Sequence, residues 1–162
     1  MQKNNINLRQ ITTKDDLQGL KVLKNILNDK EAKEESPVPE EINEYLYLGF
    51  LKLSEDESKD KLPCFRYWIT LDNEIIGYSD IKEYIKNDIL GANIGIILTK
   101  EYRNKGIGYD VMQKLINNAK NNLHIEEIII STKKNNKSMN KLCEKLGAEL
   151  INMDDECQYI IK

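Results

Sequence analysis

The sequence is poor in the residues on which several common kinds of site depend. Its 162 residues include one histidine and three cysteines. Cys64, Cys143 and Cys157 have no spacing typical of a zinc site, and their odd number suits free thiols better than a disulfide framework. His124 lies in a polar connection, so catalytic dyads or triads built on histidine have little to draw on. We therefore expect neither a metal site nor histidine-based catalysis.

An excess of basic charge and long apolar runs are also missing. The chain carries 24 Lys and Arg against 27 Asp and Glu, a net charge of -3, which argues against a general nucleic-acid binder. No apolar run approaches the ~20 residues that span a bilayer, and no signal peptide is visible. We expect a cytoplasmic protein that binds neither nucleic acid nor membrane. The length predicts a single α/β domain over residues 1–162.

The first third of the chain predicts one strand and two helices. Residues 6–11 alternate between apolar and polar, as in a half-buried strand. Thr13 gives a capping-box-like start to the first helix. The segment 36–39, with two prolines, breaks the chain, and residues 40–41 are expected to begin the second helix. The charged residues 54–61 are predicted to form a mobile loop.

The middle of the chain predicts an antiparallel meander of three strands. Residues 64–71 are aromatic and β-branched, and a hairpin turn at 72–73 leads to a strand over 74–81. A second reversal near 87–88 leads into residues 92–98, a short apolar run expected to be buried on both faces.

The last third predicts a change from antiparallel to parallel pairing. Apolar positions over 107–119 form one helical stripe, and residues 128–132 form another apolar strand, so the strand-helix-strand unit implies a parallel crossover. Asn136 or Ser138 can cap a last helix that ends at Gly147. A closing hairpin follows, and the predicted class is α/β with a mixed sheet.

A glycine turn stands between the apolar strand and its helix. It reads Arg103-Asn104-Lys105-Gly106-Ile107-Gly108. The first N–H groups of a helix have no intrahelical partner, and glycine lets a phosphate approach them closely. The segment is therefore a candidate anion site. The alternative is that the glycines merely make a tight turn.

The glycine turn does not fit a dinucleotide-binding fold or a P-loop. The dinucleotide motif needs a third glycine where this chain has Val111, and an acidic residue after the next strand, where Ser131 and Thr132 stand. The glycine-rich P-loop motif that ends in lysine and serine or threonine is absent as well.

The predicted order of elements, β-α-α-β-β-β-α-β-α-β-β, together with Arg103-x-x-Gly106-x-Gly108, resembles the GNAT superfamily of N-acetyltransferases. The helix from Asn136 to Gly147 is similar to the asparagine-led last helix of that superfamily. The strands before the turn are similar to those of a bacterial subgroup of predicted acetyltransferases. The resemblance implies a GNAT-like fold in which strands four and five are parallel and splayed, with acetyl-CoA as cosubstrate between them.

The resemblance also implies a set of cofactor-binding residues. These are Ile96, Ile97, Leu98, Arg103, Asn104, Lys105, Gly106, Ile107, Gly108, Tyr109 and Asn136. Arg103 and one of the lysines after strand five are the best candidates for phosphate contact, although such lysines are often only solvated. Gly95 is a candidate bulge that helps to splay the strands. A backbone N–H near Leu98 is expected to stabilise the oxyanion.

The acid and base of the reaction are expected in less usual places. Many GNAT enzymes carry an acidic tyrosine in the last helix where this chain has Cys143, which either donates a proton or simply packs inward. Tyr109 and Tyr159 are other possible donors. The strand before the turn has no carboxylate, so Asp80 and Glu83 are the nearest candidates for the base, unless they are plain surface carboxylates.

Two functions are compatible with these patterns. The first is an acetyl-CoA-dependent N-acetyltransferase in which a primary amine of a small molecule or peptide attacks the thioester directly. The alternative is an inactive GNAT-fold module that binds acyl-CoA as a sensor or interaction subunit. Either form is compatible with a homodimer, and the fold alone does not decide between them.

Overall fold

The computed structural model describes residues 5–35 and 41–162. The strands are β1 (Ile6–Gln10), β2 (Cys64–Leu71), β3 (Glu74–Lys86), β4 (Ile89–Leu98), β5 (Glu127–Lys133), β6 (Glu149–Asn152) and β7 (Glu156–Ile161). The helices are α1 (Gln18–Asn28), α2 (Lys30–Glu35), α3 (Glu44–Glu57), α4 (Ile107–Asn121) and α5 (Lys137–Lys145). The expected chain break at 36–39 and the predicted helix start at residue 40 lie outside the described residues.

The described strands form one mixed sheet in the order β1-β2-β3-β4-β5-β7-β6. Strands β1 to β4 pair antiparallel with their neighbours, and so do β5 with β7 and β7 with β6. Only β4 and β5 are parallel, because the chain returns through α4 before it re-enters the sheet. The predicted meander, parallel crossover and closing hairpin are therefore confirmed.

Strands β4 and β5 separate soon after they meet. Their register covers only three pairs, from Gly91 with Glu127 to Asn93 with Ile129. The remaining residues of β4 and β5 diverge and leave a gap in the sheet, which confirms the predicted splay. On its other side β4 pairs with β3 along its whole length, so β4 is held firmly although one of its edges is open.

The prediction of a bulge at Gly95 is wrong. Gly95 stands opposite Asp80 in a β3–β4 register that runs without a shift from Gly77 to Lys86. The gap arises from the divergence of two parallel strands instead. Glycine has another effect at this position, because a Cβ there would lie 3.2 Å from Oδ1 of Asp80. The absence of that Cβ leaves room for the carboxylate.

Two apolar cores cover the two faces of the sheet. The larger core packs α4 and the inner side of α5 on β3, β4, β5 and β7, and it includes Ile81, Ile94, Val111, Met112, Leu115, Ile128, Ile130 and Cys143. The smaller core packs α1 and α3 on β2 and β3, and it includes Leu20, Leu23, Ile26, Tyr47, Leu51 and Trp68. Each fully buried aliphatic or aromatic side chain contributes about 1.5–3 kcal/mol, so the cores fix which helix lies on which face.

Helix α3 begins and ends later than predicted. Asn43 caps it, since its Oδ1 accepts a hydrogen bond from the N–H of Leu46 at 2.9 Å. The helix continues to Glu57, so the prediction of a mobile loop over 54–61 is wrong for its first four residues. Ser54 is only 1% exposed and its hydroxyl donates to the carbonyl of Phe50 at 2.8 Å. A charged composition there reflects one exposed helix face.

The capping prediction at Thr13 is also wrong. Helix α1 starts after Leu17, which provides no side-chain cap, and the N–H of Thr13 donates to Oε2 of Glu55 at 3.0 Å. Helix α2 is not anticipated by the sequence patterns, and it follows α1 after the single residue Asp29. The difference at Thr13 comes from its contact with Glu55, which is distant in the sequence. Helix α2 was missed because its six residues are too few to give a periodic signal.

The predicted turns are confirmed by their backbone angles. Asp72 and Asn73 have positive φ, as does the pair Asn87 and Asp88, which is the conformation of tight hairpins. Gly147 ends the last helix with a φ of 76°. None of the helices in the described ranges is long and apolar enough to cross a membrane.

Candidate functional site

A cleft lies where the gap between β4 and β5 meets the first turns of α4 and α5. Its cavity has a volume of about 280 Å³. It is lined by Glu31, Ala32, Ile96, Ile97, Leu98, Arg103, Asn104, Gly106, Gly108, Tyr109, Asn136, Ser138, Met139, Lys141, Leu142 and Lys145. All but two of the expected cofactor-binding residues line it. The exceptions are Lys105, which is exposed, and Ile107, which is buried in the core.

The glycine turn presents the open end of α4 to this cleft. Gly106 is the N-cap of the helix, with a φ of 79° and no side chain to cap it. Asn104 also has a positive φ, of 56°. The N–H groups of the first turn therefore point toward the cleft without a side-chain partner, and the helix dipole adds about half a positive charge there. This is the geometry of an anion site.

The two glycines of the turn have different structural requirements. Gly106 is needed for its left-handed backbone, which other residues adopt at a cost. A Cβ at Gly108 would lie 3.6 Å from Ile96 Cδ1 and Leu142 Cδ2, an ordinary van der Waals distance. A tight turn therefore accounts for Gly106 but not for Gly108.

The backbone of β4 offers hydrogen-bonding groups to the gap. Leu90 faces β5 with both its groups, because its N–H donates to Glu126 Oε1 and its carbonyl accepts from the N–H of Glu126. Alternate residues of a strand turn the same way, so Ile96 and Leu98 also face this side, past the point where β5 has moved away. The carbonyl of Leu98 accepts from Nε of Arg103 at 2.9 Å. The N–H of Leu98 is therefore the backbone group that this residue can offer to a ligand in the gap.

The guanidinium of Arg103, which lines the cleft, also makes contacts within the protein itself. Its NH1 lies 2.6 Å from Asp29 Oδ2 and 3.4 Å from Glu31 Oε2. With the bond to Leu98, these contacts tie the junction of α1 and α2 to the glycine turn. Sequence reasoning missed Asp29 and Glu31, because they lie some seventy residues away and belong to no motif.

The lysines near the cleft also differ from expectation. Lys133, at the end of β5, donates from Nζ to the carbonyl of Glu34 at 2.7 Å and does not line this cavity. Lys141 and Lys145 of α5 do line it, and Nζ of Lys145 lies 4.3 Å from the centroid of the Tyr109 ring. Lys141 and Lys145 are four residues apart and so share one face of α5, which was the available signal for them.

Asn136 joins the cleft to a second cavity. Its Oδ1 accepts from the N–H of Met139 at 3.0 Å and so caps α5. The second cavity has a volume of about 240 Å³. It is lined by Tyr78, Asp80, Ile94, Gly95, Ile96, Ile97, Ile130, Ser131, Thr132, Lys133, Asn136, Met139 and Glu156. Both cavities share Ile96, Ile97, Asn136 and Met139, so they meet at the gap between the strands.

Asp80 is the expected base candidate that lines the second cavity. Burial raises the pKa of its carboxyl, and the charges of Arg66 and Lys82 and the N–H of Gly95 offset this in part. Arg66 stands directly opposite Asp80 in the β2–β3 register. Arg66 is itself held 2.6 Å from Glu57 Oε2 of α3. A carboxylate with a raised pKa in a cavity is suited to take up a proton.

Glu83 is not brought to either cavity. It lies three residues after Asp80 on β3, and side chains three apart on a strand point to opposite faces. Burial raises the pKa of Glu83 as well. Because it lines neither cavity, its carboxylate is no candidate for contact with a substrate in the cleft.

The thiol of Cys143 lies inside the larger core, which agrees with the alternative that it packs inward and argues against its role as a proton donor. The residue is 0% exposed and lines neither cavity, and burial raises its pKa to about 12. Tyr159 is also buried, and its hydroxyl donates to Asn140 Oδ1 at 2.7 Å. Tyr109 is the one expected donor that lines the cleft, and it lies at the glycine turn.

No group of three or more histidine, cysteine and acidic side chains in the described ranges is arranged to hold a metal ion. The polar groups that line the two cavities include the amide of Asn136 and the carboxylate of Asp80.

Comparison with known proteins relates this geometry to a family. The family model described as an acetyltransferase (GNAT) domain matches residues 5–149. No curated protein sequence matches significantly.

Several solved structures share the fold. The ribosomal L7/L12 alpha-N-protein acetyltransferase RimL, in complex with coenzyme A, has a TM-score of 0.81 and 15% identity, over 96% of this chain and 93% of that one. The ribosomal-protein-S5-alanine acetyltransferase of Vibrio fischeri has a TM-score of 0.80 and 14% identity, over 99% and 94%. The Campylobacter jejuni N-acetyltransferase PseH, in complex with acetyl coenzyme A, has a TM-score of 0.69 and 19% identity, over 97% and 98%.

Proposed function

The chain belongs to the GNAT acetyltransferase family, and on that premise we propose that it transfers the acetyl group of acetyl-CoA to a primary amine by direct attack. The observation that carries this proposal is the meeting of two cavities at the gap between β4 and β5. A donor and an acceptor can each occupy one cavity and meet there, and direct transfer needs only that their reacting atoms come together.

The first cavity suits the donor. Its diphosphate would bind the N–H groups of the first turn of α4, next to Gly106 and Gly108, where each charge-assisted bond is worth about 1.5–3 kcal/mol. The pantetheine arm would run along the open edge of β4 and hydrogen-bond the backbone of Ile96 and the amide of Asn136. In this proposal Arg103 acts indirectly, because its contacts with Asp29 and Glu31 hold the glycine turn in place.

The second cavity suits the acceptor. The amine would attack the thioester carbonyl at the junction, and Asp80 would take its proton, directly or through water. The N–H of Leu98 faces the gap and could donate to the carbonyl oxygen as negative charge develops there. The sulfur of CoA would leave toward the first cavity. The proposed base and the proposed oxyanion donor come from the adjacent strands β3 and β4.

The acceptor is proposed to be a primary amine of a small molecule or of a peptide. RimL and the Vibrio fischeri enzyme are named for acting on ribosomal proteins, which supports a protein amine as one class to test. We also propose that residues 1–162 form a single cytoplasmic domain that does not bind a membrane. The net charge of -3 supports the further proposal that this domain does not bind nucleic acid. A homodimer remains compatible with this proposal.

The alternative function is an acyl-CoA-binding sensor or interaction module. Cys143 stands where many relatives are expected to carry an acidic tyrosine, and its burial removes it as a substitute. The carboxylate of Asp80 in the second cavity favours the enzyme, because a module that only binds acyl-CoA needs no base on the acceptor side.

Two measurements separate these functions. The first is calorimetric titration of the protein with CoA and with acetyl-CoA. The second is release of free CoA thiol from acetyl-CoA in the presence of polyamines, amino acids, aminoglycosides and peptides, with the Asp80→Asn variant as control. We expect tight binding and acceptor-stimulated release that the variant loses. Tight binding with no stimulated release would favour the sensor, and failure to bind CoA would refute both functions.

A further inference from the structure

The proposed direct transfer does not yet name a donor for the proton that the CoA sulfur receives. The departing CoA thiolate is best protonated as it leaves, yet Cys143 lies in the core and Tyr159 is bonded to Asn140. Tyr109 lies at the glycine turn, and its hydroxyl accepts from Gln113 Nε2 at 2.9 Å. That turn is the proposed diphosphate end of the cleft, away from the junction. Tyr78 is the tyrosine among the lining residues of the second cavity.

Tyr78 stands beside the junction of the two cavities. It is directly opposite Ile97 in the β3–β4 register, and Ile97 lines both cavities. Side chains opposite each other in an antiparallel pair share one face of the sheet, with Cβ atoms about 4.5–5.5 Å apart. The aromatic ring of Tyr78 is thus placed next to the residue past which the thioester would extend.

The ring of Tyr78 packs against an aromatic side chain of α3, while its hydroxyl forms no hydrogen bond with the described residues. The ring of Phe50 from α3 packs edge-on against it, with centroids 6.0 Å apart and an interplanar angle of 70°. Phe50 in turn packs 6.1 Å from the buried ring of Trp68. Across residues 5–35 and 41–162, no side chain or backbone group forms a hydrogen bond with the Tyr78 hydroxyl. A tyrosine whose ring is fixed by packing and whose hydroxyl has no protein partner can donate that hydroxyl to a ligand.

The electrostatic surroundings keep the proton on this hydroxyl. Burial raises the pKa of Tyr78, and the nearby carboxylate of Asp80 raises it further, while Arg66 opposes both. The phenol is therefore protonated at neutral pH. A group that must give up a proton has to carry it first.

We infer that Tyr78 is the general acid of the reaction and donates its phenolic proton to the sulfur of CoA. The inference rests on the proposed function. As the amine nitrogen bonds to the carbonyl carbon, Asp80 takes the amine proton. The carbon–sulfur bond then breaks, its electron pair goes to sulfur, and the phenolic proton follows. Tyr78 regains a proton from solvent, Asp80 returns one, and the net products are the acetylated amine and CoA thiol.

The inference places acid and base two residues apart on one strand. Residues i and i+2 of a strand point to the same face, and both Tyr78 and Asp80 line the second cavity. This arrangement makes the missing tyrosine of the last helix unnecessary. It also explains why Cys143 can serve as a core residue without loss of the reaction.

The test compares Tyr78→Phe with Tyr84→Phe, using acetyl-CoA and an amine for which the wild-type protein releases thiol. Tyr84 is a matched control, because it lies on the same strand, outside both cavities, and its hydroxyl donates to Glu127 at 2.7 Å. We expect kcat to fall about 100-fold in Tyr78→Phe, as for loss of a general acid, with unchanged CoA affinity. We expect Tyr84→Phe to keep its kcat.

The pH dependence of kcat distinguishes proton donation from a packing role. In the wild type the rate should fall at alkaline pH as the phenol ionises. That fall should be absent from the residual activity of Tyr78→Phe, and 3,5-difluorotyrosine at position 78, whose phenol is more acidic, should shift it to lower pH. An unchanged kcat in Tyr78→Phe, or no shift with the fluorinated residue, would overturn the inference while the proposed function stands. Absence of any acceptor-stimulated release by wild type would overturn both.

Discussion

Replacement of Gly108 by alanine separates the needs of the fold from those of the ligand. The added methyl would lie 3.6 Å from Ile96 and Leu142, a normal packing distance. Position 108 lies in the first turn of α4, where alanine is a better helix former than glycine. The Gly108→Ala substitution therefore causes no steric clash within the protein. The methyl would instead stand in the space through which we propose that the diphosphate approaches the first-turn N–H groups.

The two expected effects of Gly108→Ala have opposite signs. The exchange of glycine for alanine in a helix contributes up to about 1 kcal/mol of stability, which raises the melting temperature of a chain of this size by about 2–4 °C. Loss of one charge-assisted hydrogen bond to the diphosphate costs about 1.5–3 kcal/mol. The dissociation constant of CoA should therefore rise about 10- to 150-fold.

The assay is thermal unfolding without ligand together with calorimetric titration with CoA. Gly49→Ala is the matched control, because Gly49 lies inside α3 and a Cβ added there would meet no neighbouring atom within 4 Å. It should raise the melting temperature in the same way and leave CoA affinity unchanged. If Gly108→Ala bound CoA as tightly as wild type, the proposed approach of the diphosphate would be wrong. If it lowered the melting temperature, Gly108 would be required by the fold itself.

Three further predictions concern the residues around the cleft. Asp80→Asn should lower kcat about 100-fold and abolish the rise of the rate with pH. The pKa of Asp80 is raised in the folded state, so ionisation of its carboxyl costs stability as the pH increases. Calorimetry at neutral pH should therefore show a higher melting temperature for Asp80→Asn than for the wild type. Cys143→Ala should leave thiol release unchanged in protein that still folds, and a loss of turnover in folded protein would return Cys143 to the mechanism. Arg103→Ala should destabilise the chain by about 2–4 kcal/mol in urea unfolding, since it strands the mostly buried carboxylate of Asp29, and an unchanged midpoint would refute that role.

The sequence predicts the sheet well because its strands carry local signals. Apolar runs, hairpin residues with positive φ and one strand-helix-strand unit are enough to specify a mixed sheet with a single parallel pair. The prediction of a bulge at Gly95 is wrong, because a glycine within a strand has more than one cause. Here the cause is the carboxylate of Asp80 on the neighbouring strand, which is not adjacent in sequence.

The helices of the first third are predicted less well. Thr13 has the pattern of a helix start, although it contacts Glu55 of α3 instead. The charge of residues 54–57 suggests a loop, although Ser54 is buried and Glu57 meets Arg66. In both places a contact between segments far apart in sequence decides the structure, and composition cannot report it.

The sequence by itself determined the glycine turn and the succession of strands and helices along the chain, because each depends on residues that are neighbours along the chain. The tertiary structure alone decided the surroundings of the candidate side chains. It paired Arg103 with Asp29 and Glu31, and it buried Cys143 in the core. It also brought Tyr78 and Asp80 to the second cavity. Burial and charge pairing arise only when distant segments pack together, so these surroundings follow from the fold and not from the motif.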